Sequence, residues 1–196
     1  TFAADHHYLF PQQLTDAIDI QVQAAQELGI RVMLTRGSMS LGEESGGLPP
    51  QQTVQQMDQI LLDSERLVGK YHQRGAGAMV NIALAPCSPF SVTPEIMRES
   101  AAMAQRLDVR LHTHLAETLD EEAFCLQMFG MRTVDYLESV GWLSDRTWLA
   151  HGIHFNTEEI QRLGQAGVGI CHCPHSNMRL ASGICPTLDL MQAGAT

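Results

Sequence analysis

The sequence has no cluster of basic residues, no apolar run approaching the about 18 residues of a membrane span, and no glycine fingerprint for a nucleotide after its first apolar segments. Each absence closes a class. With 12 Lys and Arg against 22 Asp and Glu, a net charge of -10, no surface is offered that could track a phosphate backbone, so a nucleic-acid polymer is not an expected partner. No membrane partner is expected either, and the opening residues TFAADHH hold neither a basic n-region nor an apolar h-region. A paired set of cysteines is also missing. The five present, Cys87, Cys125, Cys171, Cys173 and Cys185, are an odd and scattered set that suits reduced thiols, and the chain is expected to be soluble and cytoplasmic. What remains is a small, uncharged or weakly charged molecule as partner. With 44% hydrophobic and 17% charged residues over 196 positions, the chain is globular and can bury one substantial core. It begins without Met and inside what reads as the end of a strand, which suggests a fragment of a longer gene product.

The stretch richest in chemistry is RLHTHLAET at 110–118. Its alternation reads as a strand, so His112 and His114 share a face, and Glu117 follows where the strand opens into a loop or first helical turn. An imidazole that ligates a metal beside a carboxylate that does not is the arrangement of a hydrolytic site, where the carboxylate moves the protons of an activated water. Satisfied strand histidines and a carboxylate favoured by a helix dipole would give the same pattern.

In chain order, residues 1–5 read as a strand end, 14–28 as a helix stopped by Gly29, and 30–35 as a short apolar strand. Residues 36–50, rich in glycine and proline, read as a long functional loop. A helix over 52–74, a strand over 79–85 and a helix to about 107 with Thr93 as N-cap and Pro94 at its first position follow. After the 109–114 strand come helical patterns over 119–129 and 133–140, a strand at 147–151, a helix from 157, a strand at 169–173, a loop over 174–185 and a last helix over 186–193. Strict alternation of strands and helices means a parallel sheet, either doubly wound or part of a (β/α) barrel. Asp5, His6, His7, Arg36, Cys87, His112, His114, Glu117, His151, His172 and His175 all fall at or past the carboxyl ends of different strands. A barrel assembles its site in that way.

Together, HLAE at 114–117, AHG at 150–152 and HCPHSN at 172–177 resemble the amidohydrolase superfamily, in its aminohydrolase branch of deaminases and triazine hydrolases. The segments RGSMSLG at 36–42, GGLPP at 46–50 and APCSPFS at 85–91 are similar to those of enzymes that deaminate oxidised purines and pterins. The resemblance covers essentially the whole chain. It implies a (β/α)8 TIM-type barrel of the α/β class, with residues 1–196 as one partial metal-dependent hydrolase domain spanning about strands two to seven and lacking the first and last. It further implies one Zn2+, or Fe2+, per active site, with His114 as a metal ligand, Glu117 as proton shuttle and His151 facing the attacking hydroxide. Cys87 falls where relatives contact the substrate, and Arg36, Ser38, His175 and Asn177 would read the ring of a heterocyclic base. The family's first-strand HxH pair and eighth-strand Asp would lie outside these residues, and His112 has no family role, which leaves it either structural or a support to the residues of the site. A homo-oligomer is the expected assembly.

Three other readings stand beside the deaminase. An s-triazine hydrolase would use the same hydroxide on the same scaffold, a structural zinc module would draw on Cys171, Cys173 and His175, and a fragment alone would be inactive.

Overall fold

A computed structural model describes residues 2–11 and 14–196. Strands β1 (Phe2–Asp5), β2 (Arg31–Ser38), β3 (Val80–Pro86), β4 (Leu111–Leu115), β5 (Thr147–His151) and β6 (Gly169–Cys171) alternate with helices α1 (Ala17–Leu28), α2 (Met57–Tyr71), α3 (Pro94–Leu107), α4 (Leu119–Phe129), α5 (Thr133–Ser139), α6 (Thr157–Gln165), α7 (Pro174–Arg179) and α8 (Thr187–Ala193). The strands follow one another in the sheet in chain order, and the registered pairs β1–β2, β2–β3, β3–β4 and β5–β6 are parallel. A doubly wound sheet reverses its order at a switch point. This sheet does not, so it is of the (β/α)-barrel type.

The chain forms two compact units, residues 1–87 with 91–112, and residues 88–90 with 113–196. In the first, Val32, Leu34, Ile82 and Leu84 of the strands are buried, as are Ile18 and Val22 of α1, Ile60 and Leu67 of α2 and Ile96 and Met97 of α3. Each fully buried aliphatic side chain contributes about 1.5–3 kcal/mol. Thr93 caps α3 through its hydroxyl to Ile96 N–H with Pro94 at the first helical position, as its sequence requires. In the second, Leu149, Ile160, Leu163, Val168 and Leu190 are buried, and the aromatic rings of Phe124, Phe129 and Tyr136 pack in series.

Beyond shifts of a few residues at element ends, three differences from the sequence reading matter for the site. β2 runs on to Ser38, because Arg36, Gly37 and Ser38 stay in register with Leu84, Ala85 and Pro86, so Arg36 and Ser38 are strand residues and not loop residues. Helix α2 starts at Met57, preceded by a short 3-10 turn at Gln51–Thr53. The 174–185 loop contains α7, which Pro174 opens. Gly37 is required by a close approach: a Cβ there would lie 2.3 Å from the His7 carbonyl oxygen, which accepts from Gly37 N–H at 2.9 Å. No described helix is long and apolar enough to cross a membrane.

The first unit is tied by charge at Asp19 of α1, which accepts from Arg66, Lys70 and Tyr71 of α2. The Arg66 guanidinium, with help from Tyr71 and Lys70, holds the Asp19 carboxyl well below the usual carboxylate range, against the opposing effect of burial. A lowered folded value means that the stabilisation is present above the unfolded value near pH 4 and is lost as pH falls through the folded one. Asp19→Asn should therefore lower the urea-unfolding free energy by about 1–2 kcal/mol at pH 7, and by progressively less below pH 4.

Candidate active site

The second unit gathers His114 of β4, Glu117 of the loop after it, His151 of β5 and Asn177 of α7. His114 is near the end of β4 and half-buried, and its ring stacks on that of His151 with centroids 5.4 Å apart and planes at 26°. His151 is the last residue of β5 and Asn177 lies on α7; both are buried. Asn177 Oδ1 lies 2.8 Å from His151 Nδ1, and with the amide in this orientation Nδ1 is the donor and carries the ring proton. The other nitrogen, Nε2, then faces Glu117 Oε1 at 3.4 Å, as an acceptor when neutral and a donor when protonated. That separation exceeds a normal N–H···O bond, so neither group is locked by the other. The arrangement can serve as an acid/base pair, with Asn177 orienting one member.

The backbone that carries this pair is bent into rarely used conformations. Ala116 has φ 52° and His151 φ 75°, both in the left-handed region, at a cost of about 1–2 kcal/mol each for a residue with a Cβ. Hydrogen bonds hold them there. Gly152 N–H donates to Leu115 O, and Ile153 and His154 N–H both donate to Ala116 O at 2.9 and 3.0 Å. Gly152 itself has φ 58°, and a Cβ on it would meet the Phe155 ring at 2.9 Å. On the other side of the β4 end, the carboxyl of Glu121, 1% exposed, accepts from Ala116 N–H at 2.9 Å and Glu117 N–H at 3.0 Å. Burial pushes that carboxyl up to about 8, against the pull of the two backbone donors.

The remaining candidates are distributed differently. His175 is exposed on α7, and His172 is exposed just after β6. Arg36 belongs to the first unit and is 2% exposed, with Nε on Asp63 Oδ2 at 2.7 Å, Nη1 on Gln55 Oε1 and the Gly37 carbonyl, and the guanidinium 4.0 Å over the Phe10 ring. These are the partners of a residue that ties β2 to α2. Burial lowers its pKa, opposed by the Asp63 charge. Cys87, also in the first unit, is a buried thiol that continues the β3 ladder by donating its N–H to Ser38 O. His112 is buried and meets His6 edge-on, with ring centroids 4.4 Å apart.

His114 is the metal ligand that the sequence resemblance implies within this chain, and it stands without a full ligand set among the residues described. Among the described residues no group of three or more His, Cys, Asp or Glu side chains is placed to hold an ion, so Cys171, Cys173 and His175 form no zinc module there. An ion at His114 would need further ligands from outside these residues. Sequence reasoning missed two contacts of the candidate site, Asn177 to His151 and Glu121 to the HLAE backbone. The first joins residues 26 apart and left no local signal. The second was foreshadowed by Thr118 and Glu121, spaced as a helix capping box.

Asn177→Leu would leave the buried His151 Nδ1–H without its acceptor. It should lower unfolding free energy by about 1–3 kcal/mol and give His151 mixed tautomers by 15N NMR, whereas Asn177→Asp, which keeps an acceptor oxygen, should restore the Nδ1–H form.

The model of the family described as Amidohydrolase family matches residues 1–196. The chain is 76% identical over 195 residues to 8-oxoguanine deaminase of Pseudomonas aeruginosa, covering 100% of this chain and 43% of that protein. It is 37% identical over 194 residues to isoxanthopterin deaminase of an unknown prokaryotic organism, covering 97% and 40%. Among solved structures, the atrazine chlorohydrolase of Arthrobacter aurescens TC1 complexed with zinc superposes with a TM-score of 0.96 at 38% identity, covering 100% of this chain and 43% of that one. The chain thus spans less than half the length of these relatives, and within that span it belongs to the amidohydrolase family.

Proposed function

We propose that the barrel containing this chain is a hydrolytic deaminase of an oxidised purine or pterin base of the 8-oxoguanine kind, releasing ammonia. The observation that carries the substrate class is the 76% identity to an 8-oxoguanine deaminase, sustained over the full chain. The same scaffold supports triazine chemistry in relatives such as hydroxydechloroatrazine ethylaminohydrolase of Pseudomonas, but there the identity is 38% over 175 residues. Ammonia and chloride release from 8-oxoguanine, isoxanthopterin, guanine and a chlorotriazine separates the two readings. Deamination of an oxo-base supports ours, and chloride release without it overturns ours.

In this reading water adds to the ring carbon bearing the exocyclic amine, forming a C–O bond, and the C–N bond then breaks to release ammonia. Glu117 takes a proton from the water, passes it to the adjacent ring nitrogen and later assists the departure of ammonia. His151, held through Nδ1 by Asn177, presents Nε2 to the nucleophile and the developing tetrahedral centre, a type of contact worth on the order of 10²-fold in rate. A Zn2+ or Fe2+ ion, when bound with His114 among its ligands, supplies the Lewis acidity that lowers the pKa of a water to about 7. Of the residues proposed to face the base, Cys87 and His175 are kept in that role, whereas Arg36 and Asn177 act through the groups they hold.

Glu117→Gln should retain metal and base but lose turnover by about 10³-fold or more, because an amide of nearly the same shape cannot carry the proton. His114→Ala should instead lower metal content by elemental analysis. Cys87→Ala should reduce kcat/KM for the oxo-base relative to its non-oxo analogue by roughly 1–3 kcal/mol, with metal content unchanged. Equal loss on both bases, with a lowered melting temperature, would return Cys87 to the core.

A further inference from the structure

The motif Thr-x-x-Glu occurs at the start of α4 as Thr118 and Glu121, and its analogue Asn-x-x-Glu starts α6 as Asn156 and Glu159. At α6 it forms a full capping box: Asn156 Oδ1 accepts from Glu159 N–H, and Glu159 Oε2 accepts from Asn156 N–H at 2.7 Å. At α4 only half of the box is made. Thr118 Oγ1 accepts from Glu121 N–H at 3.2 Å, but the Glu121 carboxyl passes over the cap residue and takes the N–H groups of Ala116 and Glu117 instead. Glu159 also has a cation, Arg132, on both its oxygens. Glu121 stands instead beside two other carboxylates, Glu117 and Glu122, whose charges oppose its own ionisation. A buried carboxyl aimed at two consecutive amides, at the expense of its own helix cap, is costly for fold stability alone.

We infer that Glu121 is a positioning residue for Glu117, clamping the Ala116–Glu117 backbone so that the Glu117 carboxylate is delivered toward His151. This rests on the reading of Glu117 as the proton shuttle. The Glu117 side chain is 22% exposed and lies 3.4 Å from His151 Nε2, so no strong side-chain bond to His151 holds it, and its direction is set by its backbone. Ala116 is the pivot. Its carbonyl is held by Ile153 and His154 N–H, and its amide is held by Glu121 while φ stays at 52°. Release of the amide lets Ala116 relax toward the β region, which swings the following Cα–Cβ bond. Misplacement of a reacting group by about 1 Å costs about 10²-fold in rate.

The test uses the complete barrel protein with Glu121→Gln, which leaves one acceptor oxygen for two donors, and Glu121→Asp, which keeps the carboxyl but is one methylene short. Both should lower kcat by about 10- to 100-fold, with KM for the oxo-base and metal content within about twofold of wild type. In a Glu117→Gln background Glu121→Gln should lower the residual kcat no further, because a residue that acts through Glu117 has nothing left to position. Amide hydrogen exchange at Ala116 and Glu117 should speed up in both single variants. A melting temperature that falls while kcat stands, or an equal loss of kcat with and without Glu117, would overturn the inference. The two readings fail separately. Full turnover in Glu117→Gln removes the proton role of Glu117, and unchanged exchange at the two amides in the Glu121 variants removes the clamp.

Discussion

The second unit depends on two residues held at positive φ where β4 and β5 end. A parallel strand that simply continued would alternate its side chains and carry the chain away, whereas Ala116 and His151 turn the backbone within one residue. Neither conformation is favourable for a residue with a Cβ. Both persist because the groups around them are over-determined: Gly152, Ile153 and His154 give their amides to the carbonyls of Leu115 and Ala116. Strain of this kind at two strand ends that carry an acid/base pair is the usual signature of a site whose geometry is imposed by its scaffold.

The acidic residues of the second unit are not interchangeable surface charges. Glu159 and Glu122 are both paired with Arg132, which holds α4, α5 and the start of α6 together. Arg162 reaches Asp135 and Glu138 of α5 in the same way at the surface, where such pairs are worth little. Glu121 takes two backbone amides, whereas Glu122 and Glu159 take one each and also pair with Arg132. The net acidity read from composition thus hides three different uses, namely tying helices, covering the surface and fixing the loop that carries Glu117.

The first unit shows the same division between chemistry and support. Arg36 has the composition of a substrate-reading residue at a strand end, yet its guanidinium is enclosed by Asp63, Gln55 and Phe10 and joins β2 to α2. An arginine held in that way stiffens the strand beneath the loops and presents no open fork. Asp19 does comparable work between α1 and α2 by drawing Arg66, Lys70 and Tyr71 onto one carboxylate.

Local pattern in the sequence was enough to decide the order and type of most elements, because apolar periodicity and cap chemistry act over a few residues. The Thr93–Pro94 start of α3, the Gly29 stop of α1 and the strand at 147–151 all follow from neighbours in the chain. The motifs HLAE, AHG and HCPHSN also singled out His114, Glu117, His151 and Asn177, which the structure brings together at the ends of β4 and β5. Tertiary structure alone decided what those residues do to each other. The end of β2 at Ser38 depends on its register with β3, α7 forms inside a stretch whose composition reads as loop, and Asn177 meets His151 only because that helix docks there. Glu121 is the sharpest case. Its spacing specified a helix cap, and the positive φ of Ala116, which no local rule predicts, turned two amides toward it and made it the anchor of the neighbouring glutamate.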